Sequence, residues 1–204
     1  LTSHVATRGF NVNRGPDGVY GSKINQDPRF VTITPIVRGH EPDAEDVPFN
    51  PPWWGPLVDR EDYVARHFYS AMVRALDYLE TQPDLADMSR VMSMGGSQGG
   101  ALAVAAAGLD RISVLLADCP SNAQPHEILR YYESFGPSLG QVPPGRTQEQ
   151  VEEMLSYFNP ANFAPYIRCE THVGINIGDI TVHSMGPLSI YRNLTGLPDD
   201  KKFF

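Results

Sequence analysis

The segment Val91–Ala107 limits what this chain can fold into more than any other part of it. It reads as a short buried strand, a glycine-rich turn with Ser97 at its apex, and a helix of small apolar residues. Ser97 and the glycines two positions before and after it fit the pattern G-x-S-x-G, which places a serine on a sharp strand-to-helix turn. The segment therefore predicts a nucleophile elbow. The alternative is a tight connection with an incidental serine.

In such a turn the serine hydroxyl projects from the sheet, and the main-chain N–H groups that follow it face the same way. Ser97 is the candidate nucleophile, and the N–H of Gln98 is a candidate donor to an oxyanion at the positive end of the helix. A second donor is expected from a loop after an earlier strand, and the N–H of Phe10 in Gly9–Asn11 is the candidate. The alternative for that loop is an ordinary surface connection.

The rest of the chain alternates strand-like and helix-like segments, and this order is typical of an α/β protein. The continuous apolar run within Arg111–Asp118 favours a parallel sheet that is covered on both faces. We predict a doubly wound, mostly parallel sheet in one domain, residues 1–204, with a helical insertion at residues 120–167. The other expected strands are Leu1–Arg8, Phe30–Val37, Glu170–Asn176 and one that opens at Lys202; the expected helices are Asp59–Gln82, Glu127–Tyr132, Glu149–Phe158 and Pro187–Leu194.

The overall charge excludes some classes of partner. The formal net charge is −8 and the pI is about 5.1, which argues against nucleic acid or an anionic membrane as the main partner. The longest apolar stretch, Ala101–Gly108, is far too short to span a bilayer. Cys119 and Cys169 are expected to be free thiols, which suits a reducing compartment, so we expect a cytoplasmic protein. The sequence has no H-x-x-x-H or H-E-x-x-H pair, and neither a metal nor another cofactor is expected.

Asp179 is the best candidate for the acid that a serine nucleophile needs. It lies in a glycine turn at the carboxyl end of an expected strand, where α/β sheets place functional groups. In hydrolases of this kind the order along the chain is serine, acid, histidine. Asp118 also ends a strand, but it is the less usual place for the acid. The structural alternative for Asp179 is an N-cap of the following helix.

The general base is harder to assign. The six histidines are His4, His40, His67, His126, His172 and His183. Only His183 follows Asp179, and it lies four residues beyond the acid, at the start of the next expected helix. His183 is therefore a weak candidate for the base, because the geometry of the site and not sequence order decides a triad.

Three segments, Gly95–Gly100, Gly9–Asn11 and Ser156–Ala164, resemble elements of a known family. They are similar to the elbow, the Gly-Tyr-Asn oxyanion loop and the Tyr-Phe-Asp…Asn-Phe-Ala element of the acetyl xylan esterase and cephalosporin-C deacetylase family. This is carbohydrate esterase family seven, within the α/β-hydrolase superfamily. The resemblance covers nearly the whole chain and includes Asp179 at the family's acid. Further similar segments are Arg38–His40, Leu57–Asp77 and Ile190–Tyr191.

The resemblance implies a serine carboxylesterase that removes acetyl groups from small acetylated saccharides through an acyl-enzyme. Ser97 would attack the acetyl carbonyl, the N–H groups of Phe10 and Gln98 would hold the oxyanion, and Asp179 would orient a histidine. A homo-oligomer is also implied, with Pro51–Pro56 as its interface loop.

The chain departs from the family's pattern in places. The family's Cys-Pro-Pro segment after the acid is replaced by Ile180–His183, and the Gln of its Arg-Gly-Gln element is His40. The family's histidine follows the next strand, so the resemblance puts the base past Phe204 and implies that the first strands and the last strand–helix are missing. Two other functions stay open: a non-catalytic relative that binds or scaffolds, and a prolyl-oligopeptidase-like serine peptidase.

Overall fold

The structure is a computed structural model of the chain. It describes residues 2–7, 29–35, 60–61, 63–109, 111–123 and 144–204. The described strands are β1 (Thr2–Thr7), β2 (Phe30–Ile33), β3 (Val91–Gly96), β4 (Val114–Asp118), β5 (Glu170–Gly174) and β6 (Lys202–Phe203). The described α-helices are α1 (Val64–Glu80), α2 (Gln98–Leu109), α3 (Gln148–Ser156) and α4 (Met185–Arg192).

The described strands form one parallel sheet in the order β2-β1-β3-β4-β5-β6. The expected parallel α/β sheet is therefore confirmed. Because all these strands run the same way, their carboxyl ends meet at one edge. The register aligns Thr7 with Gly95, Gly96 with Asp118, and Asp118 with Gly174 at that edge.

Helix α1 forms because apolar residues recur every three or four positions. Phe68, Met72, Leu76 and Leu79 are almost fully buried on one face, the arrangement expected for a helix that packs on a sheet. The helix begins five residues later than the expected Asp59 and ends at Glu80. No side chain caps its N-terminus.

Helix α2 lies at the centre of the core. Its residues 98–107 are all buried, as its apolar composition indicates. Leu102, Ala105 and Ala106 pack with α1 and α3, whereas Ala103, Val104 and Ala107 pack with β4, β5 and α4. Small side chains let α2 approach both neighbours closely, and this fixes the position of its N-terminus at the carboxyl edge of the sheet.

Part of the expected helical insertion is described. Helix α3 follows a capping box, in which the Thr147 side chain accepts the Gln150 N–H and the Gln150 side chain accepts the Thr147 N–H. Two 3₁₀ turns, Pro160–Asn162 and Ala164–Tyr166, then lead into β5. The expected helix Glu127–Tyr132 lies outside the described residues.

Candidate active site

Ser97 lies between β3 and α2, and its backbone is strained. Its φ is +52°, in the left-handed region that non-glycine residues rarely adopt. Strain of this kind costs about 1–3 kcal/mol and persists only where the surroundings hold it. The predicted sharp turn with a serine at its apex is therefore present.

Main-chain hydrogen bonds hold the turn from two sides. Ser97 donates its N–H to the Asp118 carbonyl oxygen at 2.9 Å. The Ser97 carbonyl oxygen accepts the N–H groups of Ser121 at 3.0 Å and Ala101 at 3.1 Å. The end of β4 and the loop after it thus hold Ser97 through both its N–H and its carbonyl oxygen. Sequence reasoning missed this role of Ser121; the signal is the turn-forming run Pro-Ser-Asn directly after a buried strand.

The loop after β4 is strained as well. Cys119 has a φ of +41° and Asn122 a φ of +61°. The described non-glycine residues with positive φ are Ser97, Arg111, Cys119 and Asn122. All of them except Arg111 belong to the elbow or to the loop that holds it. Strained residues cluster at functional sites, and their position here supports a site at the carboxyl edge.

Gly100 allows this loop to come close to α2. A Cβ at position 100 would lie 3.0 Å from the Asp118 carbonyl oxygen, 3.0 Å from Pro120 Cα and 3.2 Å from the Gly95 carbonyl oxygen. All three atoms belong to the main chain, so none of them can move away cheaply. The glycine after the G-x-S-x-G pattern is therefore needed for packing, and the packing positions Ser97.

Gln98 is the first residue of α2. The first N–H groups of a helix have no partner within the helix, and they carry the positive end of its dipole. The main-chain N–H of Gln98 is thus placed where the sequence predicted an oxyanion donor. The second predicted donor, Phe10, lies outside the described residues.

Asp179 follows β5 and is half-buried. Its Oδ1 accepts the N–H groups of Thr181 at 2.7 Å and Val182 at 2.9 Å. The N-cap of α4 is Ser184, so the suggestion that Asp179 caps that helix is wrong. The carboxylate is held by its own turn through Oδ1. A carboxylate fixed in this way suits the orientation of a histidine.

Cys119 links the carboxyl ends of β4 and β5. Its N–H donates to the Gly174 carbonyl oxygen at 3.0 Å, and its thiol donates to Asp118 Oδ1 at 3.5 Å. Burial raises the pKa of the Cys119 thiol to about 11, and the charges of Asp118 and Asp179 add to the effect. The thiol is therefore protonated at neutral pH and is not a competing nucleophile.

Among the histidines whose side chains the structure describes, His67, His172 and His183, none has the geometry of a catalytic base. His183 is exposed, and its Nδ1 accepts the Met185 N–H at 3.2 Å. A triad histidine instead donates its Nδ1–H to the acid, so this geometry disfavours His183. His172 on β5 pairs with Glu170 at 2.8 Å and stacks on Phe203 at 4.6 Å, and His67 is exposed on α1. His40 and His126 lie outside the described residues.

The described residues offer neither a metal centre nor a membrane-spanning helix. They contain no group of three or more His, Cys, Asp or Glu side chains able to hold a metal ion. Among them, no helix has the length and apolar character needed to cross a membrane.

A parallel sheet in this order, with a strained serine between a central strand and a buried helix, defines an α/β-hydrolase. Residues 53–200 match the family model for acetyl xylan esterase (AXE1). This match covers well over half of the 204 residues. The chain therefore belongs to the acetyl xylan esterase family, as the resemblance implied.

Individual relatives agree with the family assignment. The chain is 37% identical over 118 residues to acetyl esterase Axe7A of Xylanibacter ruminicola (strain ATCC 19189 / DSM 19721 / CIP 105475 / JCM 8958 / 23), which covers 57% of this chain and 26% of that protein. It is similar to the solved acetyl xylan esterase from Paenibacillus sp. R4, with a TM-score of 0.79 and 30% identity, over 100% of this chain and 67% of that one. Acetyl xylan esterase 1 from Thermoanaerobacterium sp. JW/SL YS485 shares the fold, with a TM-score of 0.71 and 17% identity, over 96% of this chain and 65% of that one. The chain thus spans about a quarter of the curated relative and about two-thirds of these solved relatives.

Proposed function

We propose that this chain carries the nucleophile region of a serine carboxylesterase that removes acetyl groups from small acetylated saccharides. The observation that carries the proposal is the backbone geometry of Ser97. This residue has a left-handed backbone that residues 118 and 121 hold in place, in a chain of the acetyl xylan esterase family. A strained serine held in this way has its hydroxyl directed out of the sheet, where an ester can reach it.

The reaction we propose has two steps. In the first, Ser97 Oγ forms a bond to the acetyl carbon, its proton passes to a histidine, and the oxyanion accepts the N–H groups of Gln98 and Phe10. The tetrahedral intermediate then collapses, the bond between the acetyl carbon and the sugar oxygen breaks, and the histidine returns the proton to the leaving alcohol. In the second, water attacks the acyl-enzyme along the same path and releases acetate.

Asp179 is the proposed acid in this scheme. Its Oδ1 is held by two main-chain N–H groups, which leaves the charge in place to orient the histidine and to stabilise its protonated form. For the base we propose the histidine that the family places after the strand beginning at Lys202, rather than His183. The basis is that His183 Nδ1 already accepts a main-chain N–H.

The proposed substrate is a small acetylated saccharide, and the proposed assembly is a homo-oligomer. Both rest on the family to which the chain belongs. A non-catalytic relative is the second candidate, and the observation that favours it is the geometry of His183.

The test compares the hydrolysis of p-nitrophenyl acetate by the full-length protein and by its Ser97→Ala variant. Removal of the nucleophile should lower kcat by at least about a thousandfold. Ser70→Ala is a matched control, because Ser70 is an exposed serine of α1 whose hydroxyl only donates to the Arg66 carbonyl oxygen at 2.7 Å. Equal rates for the protein and Ser97→Ala would exclude Ser97 as the nucleophile. A protein without activity on this ester and on acetylated xylo-oligosaccharides would favour the non-catalytic relative.

A further inference from the structure

The side chain of Gln98 is buried without a hydrogen-bond partner. Gln98 is 2% exposed, and neither Nε2 nor Oε1 makes a hydrogen bond to any part of the chain that the structure describes. Buried polar side chains almost always have a partner, and an exception in a native structure needs an explanation.

One other described side-chain atom is buried without a partner, Oγ1 of the half-buried Thr32 on β2, whereas the other fully buried polar side chains of the described core do have partners. Ser93 donates to the Ala103 carbonyl oxygen at 3.4 Å, Thr171 to that of Cys169 at 3.0 Å, and Ser189 to that of Gly186 at 2.7 Å. Gln98 differs from these residues in its location, because it directly follows the proposed nucleophile. Among the fully buried polar residues of the described core, the one with an unpaired side chain is thus the one that adjoins the proposed nucleophile.

The location of Gln98 also gives its side chain a direction. In an α-helix each Cα–Cβ bond tilts toward the N-terminus, so the side chain of this first helical residue starts toward the elbow. There it is close to the positive end of the α2 dipole and to the N–H that the proposed mechanism uses for the oxyanion. Because it is shielded from solvent, the electrostatic effect of its dipole on that position is weakly screened.

We propose that the Gln98 amide supports the oxyanion hole electrostatically. It stabilises the transition state through its dipole without touching the substrate. No hydrogen bond to the described chain restrains the amide, so it can turn its Nε2–H end toward the oxyanion as the negative charge develops. This inference rests on the proposed function. It accounts for a buried amide whose isolation lowers the stability of the fold, since a buried amide without a partner is destabilising.

The proposal predicts that stability and catalysis change in opposite directions when the amide is removed. Gln98→Met keeps the length of the side chain and removes its polar atoms. We expect the Tm to rise by about 2–4 °C, the shift that relief of a modest buried penalty gives in a domain of this size. We expect kcat on p-nitrophenyl acetate to fall about tenfold with KM within twofold, because the effect is confined to the transition state. A donor that bonds the oxyanion directly contributes more, about a hundredfold to a thousandfold.

The experiment measures Tm, kcat, KM and the inhibition constant of an arylboronic acid, a mimic of the tetrahedral intermediate, for the protein, Gln98→Met and Ser93→Ala. Ser93→Ala is the matched control, because it removes a buried polar group that has a partner; its Tm should fall while kcat stays unchanged. In Gln98→Met the boronic acid should bind about tenfold more weakly.

Two results would overturn the inference alone: an active Gln98→Met with wild-type kcat, or a lowered Tm, which would show that the amide has a structural partner. If the unsubstituted protein hydrolyses no ester, the proposed function fails and the inference fails with it. The two kinds of failure are distinguishable, because an inactive unsubstituted protein is detected before any variant is compared.

Discussion

Gly100→Ala tests whether the packing of α2 against the loop after β4 positions Ser97. The new Cβ would lie 3.0 Å from the Asp118 carbonyl oxygen and from Pro120 Cα. An ordinary contact begins near 3.4 Å, so the loop and the helix must separate by about 0.4 Å. The Asp118 carbonyl also accepts the Ser97 N–H, and the separation therefore acts directly on the elbow.

The expected size of the effect follows from two opposing terms. Alanine in place of glycine within a helix favours folding by about 1 kcal/mol, whereas overpacking against the main chain costs about 1–3 kcal/mol. We expect a net loss of about 1–2 kcal/mol and a decrease in Tm of about 2–6 °C. Because a misplacement of 1 Å can lower a rate a hundredfold, a shift of about 0.4 Å should lower kcat by about tenfold.

The assay is p-nitrophenyl acetate hydrolysis at a temperature well below the Tm of each variant, with Gly108→Ala as the control. A Cβ at position 108 would lie 2.6 Å from Phe163 Cβ, so this variant loses at least as much stability. It lies near the far end of the same helix, roughly 15 Å from Gln98 at 1.5 Å per residue, and should keep its kcat. The reasoning is refuted if Gly100→Ala keeps its kcat. It is also refuted if Gly108→Ala loses as much activity as Gly100→Ala when the two variants are folded to the same extent.

Other variants and reagents test the remaining parts of the site. Asp179→Asn should lower kcat by about three to four orders of magnitude, since it removes the charge that orients the base. Its Tm should change little, because the amide oxygen still accepts the two main-chain N–H groups; a large fall in Tm would assign Asp179 a structural role. Gly174→Ala should lower the free energy of unfolding in urea by about 1–3 kcal/mol, since its Cβ would collide with the Asp118 carboxylate, and an unchanged value would contradict this. Burial raises the pKa of both the Cys119 thiol, to about 11, and the Cys169 thiol, so iodoacetamide at pH 8 should modify them only in urea, as intact mass reports; rapid labelling of the folded protein would contradict this. Because the folded pKa of Cys119 is raised, its contribution to stability should be present below pH 9 and decrease between about pH 9 and 11.

Most of the secondary structure could be predicted, because the spacing of apolar residues and the positions of turn-forming residues are local signals in the sequence. The ends of the elements were less accurate, for local reasons. The strand expected over Phe30–Val37 ends at Ile33, ahead of Pro35, because proline cannot donate to the sheet. The helix expected to begin at Pro187 begins at Met185, because proline fits within the first turn, where N–H groups need no partner.

The site was predicted in part. The elbow could be found because G-x-S-x-G is a local pattern with a local geometry. The hydrogen bonds from Ser97 to Asp118 and from Ser121 to Ser97 could not, since they join residues that are distant in sequence. The isolation of the Gln98 amide is likewise a property of the packed core and leaves no trace in sequence. The assignments of Asp179, His183 and Phe10 stay predictions until they are tested.

The most direct test of the account is covalent labelling with an alkyl fluorophosphonate, which forms a stable bond with an activated serine. Peptide mapping by mass spectrometry should place one phosphonyl group on Ser97, and Ser97→Ala should remain unmodified. Labelling of another residue, or no labelling of a protein that hydrolyses acetyl esters, would contradict the claim that Ser97 is the nucleophile.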